Sequence, residues 1–203
     1  LGIKFQELTT MADHQQIYKY AIHNVAQAYG KSATFMPKPV YGDNGSGMHV
    51  HQSLWKGGEP VFAGNQYADL SETCLFYIGG ILKHADALCA FTNPSTNSFK
   101  RLVPGFEAPT VRTFGRSNRG AAIRIPSYVT DPQMRRIEYR PPDLTANPYI
   151  CCASILRAGL DGIVNRIDPI AAGYAPEDAP GEAGRQADFL PRSLDDALDA
   201  LEM

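Results

Sequence analysis

The feature that most constrains this chain is a glycine-rich stretch, residues 42–53, with the sequence GDNGSGMHVHQS. Its first half is typical of a loop, because Gly and Asn tolerate positive φ and short polar side chains bond to their own backbone. Its second half alternates apolar and polar residues, which predicts a strand with one packed face. The residues predicted to pack are Met48, Val50 and Leu54, and those on the opposite face are His49, His51 and Ser53.

Two histidines on one strand face, reached from a glycine loop, suit a divalent metal or a phosphate-bearing ligand. A neutral imidazole ligates metal ions, and glycine lets backbone N–H groups approach a ligand closely. His-x-His is a common pattern, however. A polar strand face in solvent beside an ordinary loop therefore stays open as the alternative at this point.

The bulk composition describes an ordinary soluble globular protein. The chain has 203 residues, 44% hydrophobic and 20% charged, with a formal net charge of -2. This length suits one domain with a substantial core, although two small domains also fit. Without a basic excess we expect no nucleic-acid partner. Charged residues such as Lys83, Asp86 and Arg157 interrupt the longest apolar runs, so we expect no membrane span.

The spacing of the cysteines indicates their chemical state and the cellular compartment. Cys74, Cys89, Cys151 and Cys152 show no zinc-site spacing, and reduced thiols in a cytoplasmic protein are the better interpretation. No signal peptide is visible.

The chain begins at Leu1 rather than at Met, and its first residues already alternate like a strand. We therefore expect a longer parent chain upstream.

Hydrophobic periodicity predicts a mixture of helices and strands. Strands are predicted at 2–8, 33–36, 110–114, 121–125 and 135–140, besides the strand after the glycine loop, which returns through a hairpin at 56–58. Helices are predicted at 13–30, 71–89, 147–164 and 193–201, and long loops at 92–109 and 169–192. His14, His23 and His84 fall on these helices and are interpreted as surface or packing residues.

All four predicted helices carry apolar residues at helical spacing, and those of the helices at 13–30 and 147–164 predict a buried face. The first comprises Ile17, Ala21, Ile22, Val25 and Ala28, and the other Ile150, Ala153, Leu156, Leu160, Ile163 and Val164. Between them, Gly79 and Gly80 lie inside the helix that follows Ser71. Gly lowers helix propensity by about 1 kcal/mol relative to Ala. This pair therefore predicts close packing of that helix against another element.

A concentration of arginine marks the second half of the chain. Arg136, Glu138 and Arg140 share one face of the strand at 135–140, a pattern that a surface ladder of ion pairs would also produce. Together with Arg101, Glu107, Arg119 and Arg124, arginines outnumber carboxylates five to two. Guanidinium groups bind carboxylate and phosphate bidentately, so a strongly anionic ligand is predicted. A nucleoside triphosphate with a divalent cation fits, although no G-x-x-x-x-G-K-[ST] phosphate loop is present.

Four motifs in register resemble the catalytic-domain signatures of bacterial type I glutamine synthetase. These motifs are NGSGMHVHQS, TNPSTNSFKRLVPGFEAP, NRGAAIRIP and RRIEYRPPDLTANPY. The resemblance implies ATP-dependent ligation of ammonia to glutamate through a γ-glutamyl phosphate, giving glutamine, ADP and phosphate. It also implies Mg²⁺ or Mn²⁺ as cofactor and a homo-oligomer, a dodecamer of two hexameric rings in the family.

The same resemblance implies roles for individual residues. His49 and Glu138 match ligands of the metal that bridges the ATP phosphates. Glu107 resembles the carboxylate that closes the ammonium pocket and accepts its proton, and Arg119 joins it in the catalytic pair. The glutamate-binding residues would be Asn44, Gly45, Arg101, Glu107 and Arg140, and the nucleotide-binding residues His51, Ser53, Arg119, Arg124 and Arg136.

Three departures from the family pattern stand out. The family's other metal-binding glutamates lie upstream of Leu1, and two ligands are too few for hard cations that prefer six oxygen donors. The isolated chain is therefore expected to be inactive. Relatives commonly carry a Lys near the position of Gln133, on the nucleotide side, and this chain departs from them there. The tyrosine motif that receives adenylyl groups in some relatives is not recognisable around Tyr174, so this regulation is not predicted.

The resemblance implies an α+β fold, with an antiparallel sheet curved around the active site and helices packed outside. Residues 1–203 would be the C-terminal portion of the catalytic domain, with a core segment at 1–168 and a surface loop and C-terminal helix at 169–203. Two alternatives stay open. One is a sister ligase that joins glutamate to an amine such as putrescine or methylamine, and the other is a non-catalytic structural homologue.

Overall fold

The computed structural model describes residues 2–178 and 188–203, and it consists of helices packed around two small sheets. The helices are α1 (Leu8–Ala28), α2 (Glu72–Lys83), α3 (Ala85–Thr92), α4 (Thr96–Arg101), α5 (Pro148–Val164) and α6 (Leu194–Glu202). The strands are β1 (Val50–Gln52), β2 (Trp55–Lys56), β3 (Glu59–Pro60), β4 (Val111–Arg116), β5 (Ala121–Ile125) and β6 (Ile137–Tyr139). Short 3-10 turns lie at Tyr67–Asp69 and Pro132–Met134.

The main sheet has the strand order β1-β6-β5-β4. The β1–β6 and β6–β5 pairs are antiparallel, and the β5–β4 pair is parallel. The α+β prediction is confirmed, and the sheet is mixed rather than purely antiparallel. Alternation along a strand fixes its faces and leaves its direction undetermined. Only residues 117–120 join β4 to β5, far fewer than the dozen or more that usually connect parallel strands.

The hydrophobic core lies between one face of this sheet and helices α2, α3 and α5. Val50 of β1 and Leu54 pack against it, as the alternation predicts, while His49, His51 and Ser53 are exposed. Gln52 also points to the core side, where its Oε1 accepts a 2.6 Å hydrogen bond from the Tyr77 hydroxyl on α2. The opposite face of the same strands is left for polar side chains.

Several predicted elements are confirmed with their caps. Ser71 accepts from the Cys74 N–H at the start of α2, and Asn147 caps α5 through the N–H groups of Tyr149 and Ile150. A capping box between Ser193 and Asp196 begins α6. The β2–β3 hairpin turns at residues 57–58, where both glycines have positive φ. These features are local, which explains why the sequence shows them.

Other elements differ from the sequence predictions. The strands predicted at 2–8 and 33–36 are absent from the described structure, and α1 begins at Leu8 without the Asp13 cap. The single helix predicted at 71–89 is broken at His84 into α2 and α3, which are bent by 73°. The predicted loop at 92–109 contains α4, because Ser95 and Ser98 form a capping box.

The predicted buried face of α1 was wrong, and that of α5 was wrong in part. Ile17 and Val25 on α1 are 62% and 58% exposed, while Ala12 and Gln15 are buried. On α5 the predicted Ile150, Leu160 and Val164 are exposed, whereas the predicted Leu156 and Ile163 are half-buried against the core. The residues that α5 buries are Cys151, Ile155, Ala158, Gly159 and Gly162, together with Pro148 at its start. Close helix contact selects small residues, and this tertiary requirement overrides the larger apolar stripe.

Glycines explain the contact between α2 and α5. A Cβ on Gly80 would lie 2.2 Å from the carbonyl oxygen of Ala158, and one on Gly162 would lie 2.1 Å from that of Phe76. A Cβ on Gly79 would lie 2.0 Å from the carbonyl oxygen of Ile167. The close packing predicted from Gly79 and Gly80 is therefore confirmed.

The C-terminal part adds a strand-like border to the sheet. Phe189 bridges to Val111, and Pro176 bridges to Phe114. Residues 179–187 of the predicted surface loop lie outside the described residues, and of its described part Glu177 is 3% exposed. Cys74, Cys89 and Cys151 are buried free thiols, and Cys152 is a half-buried one.

A helix that crosses a bilayer needs about 20 consecutive, mostly apolar residues. Among the described residues, no single helix is long and apolar enough to cross a membrane. The α2–α3 pair, bent by 73°, meets this requirement by its length and composition only.

Candidate active site

Glu138 lies at the centre of the polar face of the sheet. The strand register places it beside His51 on β1 and beside Arg124 on β5. Residues directly opposite on neighbouring strands project to the same face, so this register brings the three side chains into one row. Glu138 is only 2% exposed and therefore needs charged or hydrogen-bonding partners.

Both oxygens of the Glu138 carboxylate have cationic or polar neighbours. Oε1 lies 3.0 Å from His49 Nδ1 and 2.8 Å from Arg140 Nη1. Oε2 lies 2.5 Å from Arg124 Nη1 and 4.0 Å from His51 Nε2. The structure thus brings together five of the predicted site residues. The alternative of a ladder of surface ion pairs is wrong for this face, because Glu138 and Arg140 are buried.

The electrostatics of this cluster favour an ionised carboxylate and neutral imidazoles. Burial acts to raise the pKa of Glu138, but hydrogen bonds from His49 and Arg124 and the charge of Arg140 outweigh it and lower the pKa to about 2. The side chains of His49 and His51 are 35% and 39% exposed, and their partial burial lowers the pKa values of both below 6.5. Neutral imidazoles retain the lone pair needed for metal ligation.

Arg101 links the glycine loop to the segment after β6. It is 4% exposed, and it donates to the carbonyl oxygens of Pro141 at 2.7 Å and Arg140 at 3.1 Å, with a longer bond to that of Pro142. Burial lowers the pKa of Arg101 to about 10. Of its five N–H donors, three are used in these bonds, which leaves two for a ligand.

Glycine is required where the loop crosses Arg101. A Cβ on Gly45 would lie 2.4 Å from the carbonyl oxygen of Pro37, and one on Gly47 would lie 2.4 Å from Arg101 Nη2. The Gly47 Cβ would also approach His49 Nε2 at 3.0 Å. The loop predicted from sequence therefore packs on the guanidinium that the resemblance assigns to glutamate.

Glu107 and Arg119 form the outer rim of the site. Their side chains are joined at 2.7 Å, and both are more than half exposed. Glu107 has φ of 54°, and its carbonyl oxygen accepts a 3.0 Å hydrogen bond from Arg140 Nη2. Arg140 therefore contacts both the central carboxylate and the rim.

Arg136 and His51 extend the cluster on its other side. Arg136 Nε donates to His51 Nδ1 at 3.3 Å, and Arg136 Nη2 donates to the Tyr128 hydroxyl at 3.2 Å. The guanidinium groups of Arg124 and Arg136 also lie within 6 Å of the Tyr128 ring centroid. Tyr128 was not predicted from sequence, because a single Tyr between Ser127 and Val129 gave no reason to select it.

Two predicted site residues stand apart from this cluster. The Ser53 hydroxyl accepts a 3.1 Å hydrogen bond from Trp55 Nε1, and the Asn44 N–H donates to its neighbour Asp43. Both Ser53 and Asn44 are exposed. Their assignments stay predictions.

A buried polar group behind Arg101 was not predicted from sequence. Asn93, Thr92 and Asp143 are 0% exposed, and Asn93 Nδ2 donates to Asp143 at 3.1 Å and to the Pro141 carbonyl at 2.7 Å. This carbonyl is the one that Arg101 also contacts. The sequence shows these polar residues beside prolines, at 92–94 and 141–143, but it does not show that they are buried, because burial depends on the tertiary structure.

The metal-binding capacity of the described residues is limited. Among them, no group of three or more His, Cys, Asp or Glu residues is placed to hold a metal ion. His49 and Glu138 are adjacent and supply one imidazole and one carboxylate. This pair fits one edge of a divalent-cation site, and the remaining ligands must come from elsewhere.

Comparison with known proteins places this geometry in a family. Residues 1–203 match the family described as the catalytic domain of glutamine synthetase. The chain belongs to the glutamine synthetase catalytic-domain family. The resemblance drawn from the four sequence motifs is therefore confirmed.

Curated relatives of the glutamine synthetase family are highly similar. The chain is 62% identical over 206 residues to the glutamine synthetase of Bradyrhizobium diazoefficiens, covering 100% of this chain and 43% of the relative. It is 65% identical over 169 residues to that of Azospirillum brasilense, covering 83% of this chain and 36% of the relative. The chain thus spans less than half the length of these relatives.

Solved structures in the family share the fold. The structure named "GmaS/ADP complex-Conformation 1" superposes with a TM-score of 0.87 at 37% identity, covering 98% of this chain and 46% of that one. A cryo-EM structure of Plasmodium falciparum glutamine synthetase gives 0.84 at 32% identity, with the same coverage.

Proposed function

We propose that this chain forms part of an enzyme that ligates ammonia to L-glutamate at the expense of ATP. ATP phosphorylates the side-chain carboxylate of glutamate. Ammonia then attacks the γ-carbonyl carbon, and the bond to phosphate breaks, giving L-glutamine, ADP and phosphate. The observation that carries the proposal is the arginine cluster around Glu138 on the polar face of the sheet, in a chain of the glutamine synthetase family.

The excess of positive charge supports a phosphate-bearing substrate. Arg124 and Arg140 both form ion pairs with the Glu138 carboxylate. Arg119 and Arg136 lie at the two edges of the same cluster. Fixed guanidinium groups stabilise charge that develops during phosphoryl transfer without having to reorganise. We assign His51, Ser53, Arg119, Arg124 and Arg136 to the nucleotide.

The glycine loop and the buried arginines support a binding site for glutamate. Gly45 lies against Arg101, whose two remaining donors suit a carboxylate. We assign Asn44, Gly45, Arg101 and Arg140 to the amino-acid substrate. Glu107, at the rim beside Arg119, would attract ammonium and accept its proton, and Arg119 would act with it in the reaction.

Mg²⁺ or Mn²⁺ would be held by His49 and Glu138 together with ligands outside the described cluster. Such an ion would neutralise the phosphate oxygens of ATP. Because two ligands are too few for a hard cation, we expect the 203-residue chain alone to be inactive. For the whole protein we propose a cytoplasmic homo-oligomer, built as two stacked hexameric rings.

The test is phosphate release and amide formation by the longest protein that contains this chain, with ATP, Mg²⁺ and glutamate. Ammonia, methylamine and putrescine would be compared as the third substrate. Ammonia-dependent formation of glutamine supports the proposal, and preference for an organic amine would replace it with the sister ligase. Absence of turnover with all three would favour a structural homologue.

Two variants would sharpen this assay. Arg124→Met should lower turnover at least about tenfold, because one phosphate-side guanidinium and one Glu138 partner are lost. Glu59→Gln, on the exposed β2–β3 hairpin, is the matched control. Turnover by the 203-residue chain itself would contradict the expectation of inactivity while leaving the ligase assignment in place.

A further inference from the structure

We propose that Lys38 is a positioning residue that ties the loop at 102–109, which carries Glu107, to the glycine-rich loop at 42–47. Its backbone is anchored first. The Lys38 N–H donates to Asn97 Oδ1 at 2.7 Å, and Asn97 Nδ2 donates to the Lys38 carbonyl oxygen at 3.1 Å. Since Asn97 belongs to α4, a helix sets the direction in which the Lys38 side chain leaves the backbone.

The Lys38 ammonium bridges two loops. Nζ donates to the carbonyl oxygen of Asp43 and lies 3.6 Å from the centroid of the Phe106 ring. Cation–π contacts strengthen when they are desolvated, and Lys38 is only 9% exposed. One buried cation thus contacts the residue before Asn44 and the residue before Glu107.

The loop at 102–109 needs such support. Glu107 adopts φ of 54° and Gly105 adopts φ of 94°. A non-glycine residue with positive φ costs free energy and persists only where its surroundings hold it. The Glu107 side chain is 64% exposed, so burial contributes little. The contacts that hold it are the Arg140 bond to the Glu107 carbonyl oxygen, the ion pair of Arg119 with the Glu107 side chain, and the Lys38–Phe106 contact.

The functional consequence rests on the proposed ligase. If Glu107 closes the site over the acyl phosphate, loosening its loop admits water and weakens ammonium capture. Water would then attack the γ-carbonyl carbon in place of ammonia. The bond to phosphate would break, and the products would be glutamate and phosphate instead of glutamine and phosphate. Lys38 would therefore determine how tightly ATP consumption is coupled to amide formation.

The experiment uses the longest protein containing this chain, with Lys38→Met, Phe106→Leu and the double variant. Lys31→Met, which removes an exposed lysine, is the matched control. We expect Lys38→Met to raise KM for ammonium about tenfold while KM for ATP changes less than about twofold. The ratio of phosphate to glutamine should rise above that of the unmodified protein.

Two further readouts separate positioning from a general structural loss. Hydrogen exchange at 102–109 should accelerate in Lys38→Met and Phe106→Leu and stay unchanged in Lys31→Met. The double variant should be no worse than the more affected single variant, because both remove the same contact. Lys38→Arg should recover part of the coupling, since a guanidinium also stacks on an aromatic ring.

Additive effects of Lys38→Met and Phe106→Leu, or unchanged exchange at 102–109, would overturn the proposal. A rise in KM for glutamate alone would also overturn it, because that result marks direct substrate contact. Hydrogen exchange requires no turnover. If the unmodified protein makes no glutamine, the proposed ligase is rejected. Faster exchange at 102–109 in its Lys38→Met variant would still support the positioning of this loop by Lys38.

Discussion

Glu138 is the residue on which the charges of the site converge, and its ionisation links the site to stability. Its folded pKa of about 2 lies below the ordinary value of 4.5. A depressed carboxyl pKa stabilises the folded state above the unfolded pKa and loses that contribution as pH falls through the folded pKa. Glu138 therefore stabilises the fold above about pH 4.5 and ceases to do so towards pH 2.

We predict that Glu138→Gln lowers the free energy of unfolding by roughly 3 kcal/mol at pH 7, because Arg124 and Arg140 lose a buried counter-charge. The deficit should shrink between pH 4.5 and pH 2. Denaturant unfolding in metal-free buffer across that range measures it, with Glu59→Gln as control. A deficit that stays constant with pH would contradict the assigned pKa.

Gly47 offers a second test at the residue scale. We predict that Gly47→Ala displaces the Arg101 guanidinium, because the added Cβ would lie 2.4 Å from Nη2. Nη2 donates to the Arg140 carbonyl oxygen, so moving it breaks a buried hydrogen bond, and the cost in stability should be about 1–3 kcal/mol. The KM for glutamate should rise about tenfold or more, since displacement of a contact group impairs positioning.

Steady-state kinetics and thermal unfolding of the longest protein would check the Gly47→Ala prediction. Gly2→Ala is a suitable control, because nothing lies within 4 Å of its added Cβ. An unchanged KM for glutamate in a destabilised Gly47→Ala variant would remove Arg101 from the substrate assignment.

The contact between α2 and α5 shows how backbone proximity decides the packing of whole elements. Gly80 faces Ala158 and Gly162, and Gly159 faces the Tyr77 ring, where an added Cβ would lie 2.1 Å from Cε2. These contacts allow the two helices to cover the core side of the sheet. Three of the larger apolar residues of α5, Ile150, Leu160 and Val164, are exposed, while Ile155 is buried in the core.

We predict that Gly80→Ala destabilises the fold by about 2–3 kcal/mol, although Ala is the better helix former by about 1 kcal/mol. The added Cβ meets backbone atoms at 2.2 Å and 2.6 Å, and backbone cannot rotate away. Denaturant unfolding would measure the loss, again with Gly2→Ala as control. A stabilised Gly80→Ala variant would show that α2 and α5 lie farther apart.

At the scale of the whole molecule, Arg112 joins three distant parts of the chain. Its Nη1 lies 2.8 Å from Asp86 on α3, and its side chain also pairs with Asp188. The Arg112 N–H donates to the Asp188 carbonyl at 2.7 Å, and the Leu190 N–H donates to Thr110 at 3.0 Å. The segment before α6 is thereby fixed to the edge of the sheet.

We predict that Arg112→Met leaves the main sheet folded but releases this C-terminal segment. Trypsin cleavage after Arg192 should become several-fold faster, because a loss of about 1 kcal/mol raises the population of the opened segment about fivefold. Mass spectrometry of timed digests would measure it. Arg157→Met, which changes an exposed arginine on α5, is the control, and equal rates in both variants would contradict the prediction.

Much of the candidate site follows from local rules. The alternation after the glycine loop placed His49, His51 and Ser53 on one face, and the structure confirms it. Alternation in β6 likewise placed Glu138 with Arg140. Side chains repeat every second residue along a strand whatever surrounds it, so these faces are readable without a fold. Helix caps at Ser71, Asn147 and Ser193 are local in the same way.

Properties that depend on distant partners needed the tertiary structure. The parallel β4–β5 pair, the break at His84 and the buried faces of α1 and α5 come from contacts far apart in sequence. The contacts of Lys38 with Phe106, and of Asn93 with Asp143, likewise join segments that are distant in sequence.

By itself, the sequence determined which side chains share a strand face, where several helices begin and to which family the motifs point. The tertiary structure decided which faces are buried and which charges meet, because burial and electrostatic pairing depend on elements that chain order does not place side by side.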